Sequence, residues 1–225
     1  MVAVTINTIC GRENEPAKGD GLWAPGTLVT SAVGTTLEGI EAWAKTCEEE
    51  TGGGKTIILN GISGSPNFSA FAKGIEDGSE LEVVTDCPTN YTPEEALTKT
   101  SAALLANPDL AVIMSTYPPV TEGAIQALKS AGKQPGKDVK LCNWTGGNEN
   151  MTNLLKSGEL AVDSYANYAW ATKNAFEAII DATEGKSNPR VILPSSTGEI
   201  EETGNTPWPP ASTNAEVAQY EPTGE

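Results

Sequence analysis

The 225-residue chain contains no histidine. Mechanisms that carry a proton on an imidazole, the serine and cysteine triads among them, are without their usual base. Zinc and iron sites built on histidine go with them. Arginine occurs only as Arg12 and Arg190, so a bidentate guanidinium clamp on a carboxylate ligand is not expected. Basic residues number 14 against 30 acidic ones, a net charge of −16. A surface this negative repels phosphate backbones and anionic lipid, which argues against nucleic acid and membrane surfaces as partners. No apolar stretch approaches the ~18 residues that suggest a membrane span. The four cysteines, Cys10, Cys47, Cys87 and Cys142, are far apart and form no C-x-x-C pair, so a structural zinc site is not expected. They permit one or two disulfides in an oxidising compartment, which spacing does not assign. Buried free thiols fit equally well, since Cys87 and Cys142 each close an apolar run. The loop Gly61-Ile-Ser-Gly64 lacks the spacing of a phosphate-cradling motif. No cofactor, no metal and no enzymatic activity are therefore expected.

What is present is an ordinary globular composition, 38% hydrophobic and 6% aromatic, with 23 glycines. The length exceeds the usual ~100–150 residues of one domain and falls short of two full ones. A chain of this size buries roughly 70% of its unfolded surface and needs no staples to hold a core.

Five short apolar runs recur between helical patterns: Thr56–Asn60, Leu81–Cys87, Leu110–Ser115, Val139–Asn143 and Leu160–Tyr165. Runs of this length, β-branched and bounded by glycine or polar residues, read as buried strands. Between them lie amphipathic segments with start and stop signals. Thr35 and Glu38 form a capping box ahead of Leu37, Ile40, Trp43, Ala44 and Cys47. Thr92-Pro93-Glu94-Glu95 supplies a cap, a proline at the first helical position and an early acidic residue. Val120, Ala124, Ala127, Leu128 and Ala131 form a further stripe closed by Gly132, and Met151, Leu154 and Leu155 another before Gly158. Alternating strand and helix define an α/β fold with a doubly wound parallel five-stranded sheet flanked by helices. The opening Val2–Asn7 reads as one more strand, directly after Met1, as expected of a piece cut from a longer chain. Residues 10–27 form a polar loop, Arg190–Pro194 an extended segment, and Glu199–Glu225 a disordered acidic, proline-rich tail.

The stretch Asn107-Pro-Asp-Leu-Ala-Val-Ile-Met-Ser, followed by Glu122-Gly-Ala-Ile-Gln-Ala-Leu-Lys-Ser-Ala-Gly132, resembles the type I periplasmic binding proteins of the ribose- and galactose-binding group. The turn Lys156-Ser-Gly-Glu-Leu160 with its following strand is similar to the last strand of that family's C-terminal lobe, and Thr56–Gly61 to the first. The resemblance runs over about residues 29–186. It implies that residues 31–166 are the C-terminal α/β lobe, residues 1–30 a remnant of the N-terminal lobe with the hinge approach, residues 167–188 a crossover helix and residues 189–225 an extended segment and tail. The family's opening βαβα units have no counterpart here, so a truncation is expected.

By the same resemblance the chain is a substrate-binding component of an ABC-type importer, periplasmic or extracellular in its full-length context, with no signal peptide in this chain. It would bind a small neutral, sugar-like ligand between two lobes and dock on a permease. In open parallel sheets ligands sit beyond the carboxyl ends of the strands. The candidate ligand-binding residues there are Asn7, Ser65, Asn67, Tyr91, Tyr117, Asn143, Trp144 and Asn167. Asn7 stands where the family has a sugar-binding carboxylate, and Tyr91 matches an aromatic that packs on the sugar ring. The family's pocket arginine falls at Ser69, its asparagine at Tyr117 and its aspartate near Trp144 or Thr145. Tyr91, Tyr117 and Trp144, at three successive strand ends, suggest a more aromatic pocket than a ribose site. Two other readings are a truncated or inactive gene product and the effector domain of a lac-repressor-type regulator, although no helix-turn-helix or basic face is present.

Overall fold

The computed structural model describes residues 3–6, 28–32, 37–165, 168–186 and 191–192. Elements run in the order β1 (Ala3–Ile6), β2 (Leu28–Ala32), α1 (Leu37–Thr51), β3 (Lys55–Asn60), α2 (Pro66–Gly78), β4 (Glu82–Pro88) and α3 (Pro93–Ala106). They continue with β5 (Val112–Ser115), α4 (Pro118–Ser130), β6 (Lys140–Gly146), α5 (Glu149–Ser157), β7 (Val162–Tyr165), α6 (Tyr168–Thr183) and β8 (Val191–Ile192). The chain divides into two compact units, one spanning Ile40–Ala166 and the other containing β1, β2, α6 and β8. The capping-box threonine Thr35, the 10–27 loop, Arg190 and the 199–225 tail lie outside the described residues, as do Asn7 and Asn167.

In the larger unit all five strands pair in parallel, in the order β4-β3-β5-β6-β7. This follows the alternation of strand and helix in the sequence, since a parallel pair needs a crossover. Right-handed crossovers place α2, which steps outward from β3 to β4, on one face of the sheet, and α3, α4 and α5, which step the other way, on the opposite face. The strand period of two sorts side chains accordingly. Ile57, Leu59, Ile113 and Leu141 join Val120, Ala124, Leu128, Met151 and Leu155 in the core beneath α3–α5. The opposite face carries Trp144, whose ring packs edge-to-face on Trp43 of α1 at 5.3 Å and on Phe71 of α2 at 5.5 Å between centroids.

The local signals act as their chemistry dictates. Thr92 caps α3 by accepting from the Glu95 N–H, and Asn148 caps α5 by accepting from the Met151 N–H. Gly158, with φ 77°, ends α5 in the left-handed conformation that a Cβ disfavours. Strand ends shift by one to three residues from the apolar runs of the sequence, and three details have local causes. β6 runs on to Gly146, because Trp144 stays in the core and Gly146 still pairs with Tyr165. α4 starts at Pro118, ahead of the stripe that begins at Val120, since two prolines suit the first helical turn. In β4 the register slips at Val84, where Thr56 pairs with Val83 and Ile57 with Thr85. Such a bulge on an outer strand spoils it as a template for further pairing.

In the smaller unit β2 lies between β1 and β8, all parallel, and α6 packs on β1 and β2. Among the described side chains of α6, Ala175 and Ala178 are buried, while Phe176 and Ile180 are exposed.

Candidate functional site

The strand order reverses direction between β3 and β5, the kind of switch point at which loops leaving the carboxyl ends diverge. Asn60 ends β3 and is buried, with every part of its amide in use. Its Nδ2 donates to the Phe68 carbonyl at 3.0 Å and to Asp86 Oδ2 at 3.3 Å, and its Oδ1 accepts from the Gly61 N–H at 2.8 Å. The turn after β4 is bolted to the same residue. The Thr89 N–H and hydroxyl both donate to the Asn60 carbonyl, at 2.9 and 2.6 Å.

That bolt sets the position of Tyr91. Asn90 and Tyr91 take φ of 48° and 60°, a conformation that costs a non-glycine residue about 1–2 kcal/mol. Asn90 Nδ2 holds the turn from the far side by donating to Glu95 Oε1 at 2.8 Å. The Tyr91 ring then lies on Gly61, where a Cβ would meet it at 2.3 Å. Only glycine leaves that space. The ring of Tyr117, at the start of α4, meets Tyr91 edge-to-face with centroids 5.7 Å apart. Tyr91 is half-buried, and burial raises its hydroxyl pKa, whereas Tyr117 is 39% exposed. Together they make an aromatic wall along the carboxyl edge.

Asn143 and Trp144 depart from the expectation. A strand sends consecutive side chains to opposite faces, so the two could not both address one ligand. Trp144 is wholly buried against Trp43 and Phe71. Asn143 is equally buried. Its Nδ2 donates to Asp163 Oδ1 at 2.7 Å and its Oδ1 accepts from the Thr121 hydroxyl at 2.9 Å. The chain of polar groups runs on from Thr121 to Ser115, and from Asp163 Oδ2 to the Gly147 N–H at 2.9 Å. Both residues therefore brace the edge from beneath instead of lining it. Ser65 caps α2 by accepting from the Phe68 N–H at 3.2 Å. Asn67, in the first turn of α2, makes no side-chain hydrogen bond among the described residues and is partly exposed.

Asp163 was missed in the sequence, because a lone acid in an apolar strand carries no motif. It is almost fully buried, and desolvation raises its carboxyl from 3.8 to about 6, opposed by the hydrogen bonds from Asn143, Gly147 and Ser164. Gly146 is the residue that admits it, since a Cβ there would meet Asp163 Oδ1 at 1.7 Å. Gly61 was missed for the same reason. Its need is visible only once Tyr91 is in place.

The helix N-termini at this edge are poor in free donors. α2, α3 and α4 each begin on proline, and α4 on two, Pro118 and Pro119, neither of which has an N–H. The N–H groups of Val120 and Thr121 both turn back to the Tyr117 carbonyl. The anion cradle that a helix start otherwise provides is largely removed. Among the described residues no group of three or more His, Cys, Asp or Glu side chains could hold a metal, and no helix is long and apolar enough to cross a membrane. A hollow of about 500 Å³ opens over Asn148, Glu149, Asn150 and Asn153 at the start of α5. Another, of about 490 Å³ between α2 and β4, has Ile58, Val83 and Asp86 in its wall and belongs to the flank of the sheet.

The five parallel strands define a doubly wound α/β lobe, and the chain belongs to the periplasmic binding protein family, whose domain model matches residues 20–187. Its relatives give the family its context. The chain is 25% identical over 181 residues to the D-apiose import binding protein of Actinobacillus succinogenes, a match covering 78% of this chain and 54% of that protein. Two solved solute-binding proteins share the fold. One, from A. succinogenes with bound D-allose, has a TM-score of 0.69 and 20% identity, with 85% of this chain and 63% of that one covered. The other, from Agrobacterium vitis with bound α-D-tagatopyranose, has a TM-score of 0.73 and 17% identity, with 84% and 63% covered. The chain thus spans about half the length of that curated relative.

Proposed function

We propose that the chain is the substrate-binding component of an ABC-type importer and holds a small neutral, sugar-like ligand at the carboxyl edge of its five-stranded sheet. The observation that carries this reading is the Tyr91–Tyr117 wall beside helix starts depleted of N–H donors. Aromatic faces suit the C–H surface of a sugar ring, and the scarcity of donors disfavours an anion. The ligands named for the relatives, D-apiose, D-allose and tagatose, are neutral sugars. Ser65 and Asn67 would add hydroxyl and amide contacts beside the wall, and Asn7 and Asn167 would add amides from the flanking segments. Residues 31–166 would be the C-terminal lobe, and residues 1–30 with the 167–188 crossover would lead to the opposing one. Closure of the lobes would present the receptor to its permease on the periplasmic or outer side of the membrane.

The test is calorimetry or ligand-observed NMR of the chain against neutral pentoses and hexoses, with sugar acids and sugar phosphates as controls. The expected result is saturable binding of at least one neutral sugar, weakened about five- to tenfold by Tyr91→Ala, consistent with loss of a stacking contact worth about 1–1.4 kcal/mol. A preference for the charged controls, or no response to any sugar at high millimolar concentration, would overturn it.

A further inference from the structure

Two of the three described cysteines lie on one seam between helix and sheet. Cys47 on α1 and Cys142 on β6 are both wholly buried free thiols and neighbours of one another. The surrounding packing explains why they are neighbours. Trp43 and Cys47 lie four residues apart on one face of α1, about 6 Å along a helix. Cys142 and Trp144 lie two apart on one face of β6, about 6.6 Å along a strand. The spacings match, and helix and strand run in opposite directions, so the seam that stacks Trp43 on Trp144 also brings Cys47 to Cys142. Cys87 belongs to the core on the other face, beneath α3–α5, with the sheet between it and this pair.

We propose that Cys47 and Cys142 are a modification site, closing to an internal disulfide that ties α1 to the central strand β6 when the chain folds in an oxidising compartment. The oxidant is a disulfide of the glutathione class. The thiolate of one cysteine attacks it and releases one glutathione thiolate, leaving a mixed disulfide. The second cysteine's thiolate then attacks the protein sulfur and releases the other glutathione. Two protein thiols become one S–S bond, and the oxidant is reduced to two glutathione thiols. Burial pushes the Cys47 thiol up, and the neighbouring Cys142 thiol adds to this, so Cys47 in the folded, reduced chain offers almost no thiolate for attack, and both sulfurs are shut off from solvent. The bond consequently forms while the chain is still open and is then shielded by the aromatic seam. This inference is independent of which ligand the carboxyl edge accepts.

The chain is refolded from denaturant in a reduced–oxidised glutathione buffer, free thiols are alkylated, and the protein is digested without reduction and analysed by mass spectrometry. A peptide pair joining Cys47 to Cys142 is expected, about 2 Da lighter than the two thiol peptides together. Because the bond closes a loop of about 95 residues, the oxidised chain should melt roughly 10 °C above the reduced one. Cys87→Ala keeps that difference, and the double variant Cys47→Ala/Cys142→Ala abolishes it. The peptide map is read on the unaltered chain, so it decides the matter even if the double variant does not fold. Full alkylation of Cys47 and Cys142, or linkage of either to Cys10 or Cys87, would overturn the proposal.

Discussion

Tyr91 owes its position to neighbours that have no chemistry of their own. Gly61 supplies the space, Thr89 the bolt and Asn90 the turn. Gly61→Ala should therefore act as a binding mutation although glycine has no side chain to offer a ligand. The added Cβ displaces the Tyr91 ring, and sugar affinity should fall about as far as in Tyr91→Ala, measured by calorimetry beside it. Asp163 gives a second test at this level. Its carboxyl is raised from 3.8 to about 6 in the folded chain, so between those values the folded form holds a proton that the unfolded form releases. The stabilisation from this group is complete below about pH 4, declines as pH rises to about 6, and is absent above, at most about 3 kcal/mol across the window. Asp163→Asn removes that titration. Melting temperatures at pH 4–7 should show a wild-type-minus-variant difference that falls with rising pH and levels off near neutrality.

A strand's alternation decides whether an aromatic residue serves the core or the edge. Trp144→Ala empties the seam between β6, α1 and α2, and the loss of a buried tryptophan costs about 3–5 kcal/mol. Tyr117→Ala removes a ring that is partly in solvent and should cost far less stability while weakening sugar binding. Denaturant melts of the two variants side by side would separate the roles. Thr92→Ala deletes the cap of α3, and the same melts should show a loss of about 1 kcal/mol. An equal loss for Trp144→Ala and Tyr117→Ala would contradict the division between core and edge.

The larger unit encloses its own core on both faces of its sheet. A fragment covering residues 35–166 should therefore unfold in one cooperative transition followed by circular dichroism, as single domains of this size commonly do. A broad, non-cooperative melt would show that the core depends on the remainder of the chain.

Strand and helix periodicity, proline and cap placement, and the alternation of elements are local properties. They were enough to set the α/β class, the parallel sheet and most element positions, and the absence of histidine together with the scarcity of arginine already narrowed the chemistry. The local pattern around Tyr91 and Tyr117 likewise pointed to the edge where the rings meet. What the linear order could not hold is which face a strand-end residue takes after a bulge or an extended strand, and which distant groups then touch. Alternation alone puts Asn143 and Trp144 on opposite faces, but only packing decides that Trp144 meets Trp43 and Phe71 and that Asn143 meets Thr121. Cys47 and Cys142, Gly61 and Tyr91, and Gly146 and Asp163 are separated in sequence and meet only through packing. Those pairings depend on long-range contacts that form when the strands are laid side by side, so the tertiary structure alone decided them.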